Sequence, residues 1–247
     1  MRIAVVADIH GNVHALRAVM DDLKEVAPDT VVNLGDCLSG PLEAADTADV
    51  LISLAWQTIR GNHDRQLLDR PADKMGKSDQ AALSELKNHH KAWLANLEPT
   101  ATVEDILLCH GAPDDDLTYL LEHVDDDGRV QIATKAEVVK RLRGSSASVV
   151  LCAHSHVPRF VGLDDGRVVV NPGSVGLPAY TDNDPTHSMQ NGAPHARYAV
   201  LERRKAGERW RVSFRVVEYD WDAAAERAKQ KGRDDWARWI RTGYAGG

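Results

Sequence analysis

The order of elements legible in the sequence predicts an α/β protein: a four-layer αββα sandwich of two mixed β-sheets flanked by helices. Three observations carry this. Over residues 2–60, short apolar strands alternate with amphipathic helices, a pattern of parallel strands joined by right-handed crossovers. Beyond residue 158 the pattern shifts to strand pairs separated by turn residues, which adds antiparallel strands to the parallel ones. Asp, Asn and His stand directly after apolar strands, at the ends where α/β folds carry their functional groups.

The elements follow in order. Arg2–Ala7 reads as a buried strand of β-branched residues. From Asn12 to Val26 the apolar residues Val13, Leu16, Val19, Met20 and Leu23 share one helical face, and Pro28 marks the loop beyond. Thr30–Leu34 is a second strand, Leu42 to Leu54 a helix, and Trp56–Arg60 a short third strand. Ser78 to Leu97 reads as one helix capped by Ser78 or Asp79. Ile106–Cys109 and Ser148–Cys152 are strands on either side of an acidic, loop-like stretch (112–130) and a helix from Thr134 to Arg143. Arg159–Leu163 and Arg167–Asn171 form a hairpin around Asp164-Asp165-Gly166. The Pro-containing stretch 177–196 reads as a long surface loop or flap. Strands at Arg197–Glu202 and Trp210–Glu218 and helices at Asp222–Lys231 and Asp234–Arg241 complete the chain, which is expected to be one domain over residues 1–247.

Composition narrows the class. With 43% hydrophobic and 27% charged residues the chain reads as globular, and a net charge of -7 argues against broad nucleic-acid binding, which favours a basic face. Asp8 interrupts the first apolar run, so no secretory signal is expected, and no segment has the length of a membrane span. A cytoplasmic location follows as an expectation. Cys37, Cys109 and Cys152 are odd in number and lack CxxC spacing, and read as small apolar residues packed at strand ends.

The polar strand ends carry the chemistry. Asp8, Asp36, Asn62, His110 and His154 each follow an apolar strand, so they converge on one crevice. Any one of them alone is explained by a cap, a turn or a structural histidine. The set together, with glycine neighbours, calls for a metal. Mixed imidazole and carboxylate donors suit first-row ions such as manganese, iron, zinc or nickel, and suit calcium poorly.

The segments Asp8-Ile9-His10-Gly11-Asn12, Gly35-Asp36-Cys37, Gly61-Asn62-His63-Asp64, Cys109-His110-Gly111 and Ala153-His154-Ser155-His156 resemble the calcineurin-like metallophosphoesterase superfamily. The resemblance supports the sandwich more strongly than periodicity does. It implies that Asp8, His10, Asp36 and His156 hold one divalent ion, and that Asp36, Asn62, His110 and His154 hold a second, with Asp36 bridging. It further implies that a hydroxide between the ions attacks phosphorus in a small phosphomonoester or phosphodiester, with a nucleotide among the candidates. His63 is then the general acid. Asp64 is a candidate to orient His63, though a salt bridge or helix cap suits it better. Asn171-Pro172-Gly173-Ser174 also fits the family, as structural support.

Departures from the pattern bear on substrate. The segment Gly35-Asp36-Cys37-Leu38-Ser39-Gly40-Pro41 lacks the arginine that protein phosphatases and symmetrical diadenosine tetraphosphatases carry there, which argues against protein phosphatase activity. Ala153 and Ser155 replace the more usual Gly and Thr. Two rival readings remain: a dinucleoside polyphosphate hydrolase stacking bases on Trp56, Tyr119 or Tyr180, and a non-catalytic metal-binding scaffold. His89-His90 reads as a solvated helix face, and His123, His187 and His195 as ordinary surface residues. Trp221, Trp236 and Trp239 read as core or interface, and Arg60 as a phosphate ligand or an ion-pair partner.

Overall fold

A computed structural model describes residues 1–246. Chain order runs β1 (Arg2–Val6), α1 (Val13–Val26), β2 (Thr30–Asn33), α2 (Ala44–Leu54), β3 (Gln57–Thr58), α3 (Asn62–Asp69), α4 (Lys77–Leu83) and α5 (Asn88–Ala95). It continues through β4 (Thr100–Val103), β5 (Ile106–Cys109), β6 (Glu122–Val124), β7 (Val130–Ile132), α6 (Lys135–Arg141), β8 (Val149–Leu151), β9 (Arg159–Gly162) and β10 (Val168–Asn171). The last elements are β11 (Ala179–Asn183), β12 (Thr186–Gln190), β13 (Ala196–Glu202), β14 (Arg211–Val217), α7 (Trp221–Gln230) and α8 (Asp234–Thr242).

Two five-stranded sheets result, in the orders β14-β13-β1-β2-β3 and β4-β5-β8-β10-β9. In the first, β1, β2 and β3 are parallel, while β13 pairs antiparallel with both β1 and β14. In the second, β5, β8 and β10 are parallel with antiparallel edges. Both sheets are mixed, as the element order implies.

The two-residue period of a strand sorts side chains between layers. In β1, Ala4 and Val6 face α1 and α2, whereas Ile3 and Val5 face the second sheet. In β8, Val149 and Leu151 point into the space between the sheets and Val150 points out toward α6. Burial on both faces explains why these strands read as continuous apolar runs. A separate cluster packs α7 and α8 against Leu42 and β11. No helix among the described residues is long and apolar enough to cross a membrane.

Local chemistry sets the helix ends. Asn12 caps α1 through Oδ1, which accepts from the Ala15 N–H at 3.0 Å. Thr134 and Glu137 form a reciprocal capping box at α6. Helix α1 is tied to the far edge of the first sheet by Asp22, which accepts from Arg215 at 2.6 Å and from the Tyr198 hydroxyl at 2.5 Å. The hydrogen bond from Arg215 holds Asp22 below the usual carboxylate range against the opposing effect of burial. A depressed folded pKa stabilises above the unfolded value, and that stability is lost as pH falls through the folded value. Asp22→Asn is expected to lower stability by about 1 kcal/mol at neutral pH, Arg215 being part-exposed. The gap should close below about pH 4. Equal urea midpoints at pH 7 would contradict this.

Five readings are corrected. Residues 78–97 form two helices, not one. After Leu83 the backbone tightens to i→i+3 bonds, and the Lys87 N–H donates to His90 Nδ1 at 3.2 Å, starting a new helix. The cap of α4 is Gly76, without a side-chain bond, rather than Ser78 or Asp79. His90 is fully buried rather than solvated, and donates through Nε2 to Asp49. The stretch 177–196 contains the hairpin β11–β12, and 112–130 contains β6, paired with β7. Periodicity missed α3 because its first turn is polar throughout.

Candidate active site

The rims of both sheets meet at the C-terminal ends of their parallel strands. Asp8 and His10 follow β1, Asp36 follows β2, and Asn62 and His63 open α3 beyond β3. His110 follows β5, and His154 and His156 follow β8. All seven expected ligands therefore reach one place. Asp8, His10 and His156 form one group able to hold a metal, and Asp36, His110 and His154 form another. Asp36 Oδ2 lies 3.2 Å from His110 Nε2 and 3.9 Å from His10 Nε2, so it stands between the groups.

The backbone is strained to achieve this. Asp8, His10, Asp36, His154 and His156 all have positive φ, between 52° and 69°. Each such residue costs about 1–2 kcal/mol relative to right-handed backbone. Loop-to-loop hydrogen bonds hold the strain: Asp8 N–H to Gly35 O, His10 N–H to Asp36 O and Gly176 N–H to Asp8 O, each 3.0 Å. The glycines before Asp36 and Asn62 are demanded by space. A Cβ on Gly35 would lie 2.3 Å from the Gly61 nitrogen, and one on Gly61 would lie 2.2 Å from Asp36 Oδ1.

Asp64 braces rather than reacts. Its carboxylate accepts from the N–H groups of Asp36, Cys37 and Gly61 at 2.8, 2.9 and 3.0 Å. Asn171 supports in the same way, donating to Ala153 O and Ser155 Oγ, and Ser174 Oγ donates to Asp8 O at 2.8 Å.

Hydrogen bonds fix the imidazoles. Nδ1 of His10, His110 and His156 lies 2.7–2.8 Å from the carbonyls of Ser39, Leu34 and Leu177. A carbonyl only accepts, so each Nδ1 carries a proton and each Nε2 turns inward. His154 is reversed, with Nε2 donating to Leu117 O at 3.1 Å. In consequence the inward Nε2 atoms of His10 and His156 face each other at 3.1 Å. If both rings are neutral, two lone pairs confront each other there. The end of the Asn62 amide stands 3.0 Å from both His110 Nε2 and His154 Nδ1. Both carboxylate oxygens of Asp8 are buried without a hydrogen-bond partner among the described residues. Inward lone pairs and an orphaned carboxylate fit divalent cations.

The titration behaviour agrees. Burial pushes His10 down to about 4 and His154 to about 3, which leaves neutral rings with free donors. Burial pushes Asp8 up to about 8. Burial opposes charge on His110, but Asp36 outweighs it and lifts the ring to about 10. Protons take up positions here that a cation displaces. Burial likewise raises all three thiols, Cys109 to about 12, so the cysteines are packed and un-ionised as expected.

His63 stands beside the two groups, 5.6 Å ring to ring from His10. Its partner was missed in the sequence. Nδ1 lies 2.8 Å from Oδ1 of Asp79, a buried carboxylate on α4 that also accepts from Ser39 Oγ at 2.6 Å. Burial disfavours charge on His63, yet Asp36 and Asp79 together raise it to about 9. Cations held by Asp36 would draw that value down, leaving Asp79 as the anion that keeps the ring protonated.

His10, Asp36, Asn62, His63, His154 and His156 line a cavity of about 530 Å³, together with Tyr180, Trp236 and Trp239. Of the three aromatics considered for base stacking, only Tyr180 lines it. Trp56 packs against the α1–α2 core, and Tyr119 lies behind, stacked on His154 and bonded to Tyr180 and His187. His187 is buried in that network rather than at the surface.

Stacked mixed sheets with Asp, Asn and His converging at one rim are the architecture of metallophosphoesterases. The chain belongs to the calcineurin-like phosphoesterase superfamily, whose domain matches residues 1–190. It is similar to an uncharacterised protein of Methanocaldococcus jannaschii, 23% identical over 95% of this chain and 94% of that protein. The crystal structure of a metallophosphoesterase from Sphaerobacter thermophilus shares the fold with a TM-score of 0.77, at 21% identity over 99% of this chain and 100% of that one. A structure described as a candidate diadenosine tetraphosphatase aligns at a TM-score of 0.53 and 16% identity, covering 89% and 94%.

Proposed function

We propose that the protein, as one domain, is a metal-dependent phosphoesterase acting on small phosphomonoesters or phosphodiesters. One divalent ion falls to Asp8, His10 and His156, and a second to Asn62, His110 and His154, with Asp36 shared. The donor set suits manganese, iron, zinc or nickel. When bound, such ions supply charge neutralisation for phosphoryl oxygens and a water of lowered pKa. The observation that carries the reading is the facing pair of His10 and His156 nitrogens beside the orphaned Asp8 carboxylate.

The chain's own residues do the rest. Asp79 holds the Nδ1 proton of His63 and so turns Nε2 toward the cavity that His63 lines. A protonated His63 gives its Nε2 proton to the departing oxygen as the P–O bond breaks, and the ring becomes neutral. Asp79→Asn is expected to lower kcat about tenfold or more with metal content unchanged, since orientation and charge are both weakened. Asp79→Glu should recover part of the loss, and a wild-type kcat in the Asn variant would exclude the pairing.

The reading is tested by hydrolysis of p-nitrophenyl phosphate, bis-p-nitrophenyl phosphate and a panel of nucleotides. The protein is stripped of metal and reloaded with manganese, with Asn62→Ala as control. Turnover that needs both metal and Asn62 supports it. No turnover of any ester by protein carrying two ions refutes it in favour of the scaffold.

A further inference from the structure

The cavity is far larger than a phosphoryl group needs, and beside the metal-binding groups its wall is extended by residues of α3 and α8. His63 and Gln66 on α3, and Arg70 as its C-cap, stand at i, i+3 and i+7, and all three line the cavity. That spacing puts His63 and Gln66 on one helical face, with Arg70 at the end of the helix, roughly 10 Å along the axis from His63. Gln66 is only 5% exposed, yet its amide makes no hydrogen bond among the described residues. Arg70 is exposed and has no carboxylate partner among them.

The cavity is also lined from α8, which lies beyond the segment that the family domain matches. Arg233, just before α8, lines the cavity and is fixed by Asp235 at 2.7 Å and by Ser78 Oγ at 2.9 Å. Ser78 neighbours Asp79, so Arg233 sits on the His63 side, where a leaving group departs. Trp239 also lines the cavity and is 5% exposed. Among the described residues, the unbonded Gln66 amide, the unpaired Arg70 and Arg233 thus line the space beyond the acid. The acids of the wall, Asp182 and Asp184, come from a different element, the β11–β12 hairpin.

We propose that α3 and α8 form a leaving-group subsite for a second anionic group, a carboxylate or phosphate, with Arg70 and Arg233 as the specificity-determining cations. The substrate class is then a phosphoester whose leaving group carries its own negative charge. This rests on the phosphoesterase reading for the direction in which the leaving group departs. It also places the cations of the cavity outside the segment after Asp36, which carries none.

The test is calorimetric binding of two uncleavable phosphonates to metal-loaded protein: heptylphosphonate, and its isostere ending in a carboxylate, 6-carboxyhexylphosphonate. Wild type is expected to bind the carboxylate form about tenfold more tightly, the value of one charge-assisted contact. Arg70→Ala, which breaks no side-chain hydrogen bond or ion pair among the described residues, should bring the ratio toward one, and Arg70→Lys should restore part of it. Arg233→Ala should lower the ratio too. Equal affinities in wild type, or a ratio unchanged in both alanine variants, overturns the subsite. Turnover of the matching phosphate esters is scored separately. Discrimination in binding without hydrolysis keeps the subsite and removes the phosphoesterase reading.

Discussion

Asp36→Asn is expected to leave a folded protein that binds fewer than two ions per chain and loses about 10³-fold or more in kcat/KM, since a shared anionic ligand is worth several kcal/mol. The fold should survive. Asp36 Oδ1 accepts from the His63 N–H at 2.9 Å, and an amide oxygen can still do so. The other carboxylate oxygen, 3.2 Å from His110 Nε2, becomes an N–H that can donate to that ring. What is lost is the negative charge standing between the two groups. Metal content after reloading and dialysis, measured by elemental analysis, decides the matter. Two tightly held ions in the variant would show that Asp36 is not shared.

His63→Ala should separate binding from chemistry. The side chain is a third exposed, and the bond that ties the residue to Asp36 comes from its backbone N–H, which alanine keeps, so metal content should stay near the wild-type level. Loss of a positioned acid should lower kcat roughly 10²–10⁴-fold. The deficit should be largest for esters with poor leaving groups and smallest for p-nitrophenyl esters, whose departing oxygen needs little protonation. A uniform loss across leaving groups would assign His63 to charge stabilisation, and unchanged turnover would remove it from the reaction.

The two variants differ in what they exploit. Asp36 is legible because Gly35-Asp36 closes an apolar run, and both residue type and position are local facts. His63 is legible because it adjoins Asn62. Its partner was not: Asp79 lies 16 residues on, in the first turn of a helix, where an acid usually serves the helix itself. No spacing rule links the two, and the contact exists only because α4 packs against α3. The break after Leu83 was hidden for a related reason. Residues 78–97 have good helical composition throughout, and the interruption comes from a tertiary site in which His90 is buried and held by Asp49 on α2.

By itself the sequence determined the alternation of strands and helices, the mixed character of both sheets and the identity of the residues at their rims. These follow from side-chain type and from periods of two and 3.6 residues, which act over a few neighbours. Tertiary structure alone decided how those rim residues face one another. The left-handed backbone at Asp8, His10, Asp36, His154 and His156 is held by bonds between loops far apart in the chain. The inward nitrogen of each histidine is chosen by a carbonyl on another element, as Leu34 does for His110 across 76 residues. The wall of Arg233, Trp236 and Trp239 reaches the cavity only because α7 and α8 fold back over Leu42 and β11. Each of these contacts is set by packing between distant segments, and local sequence carries no trace of it.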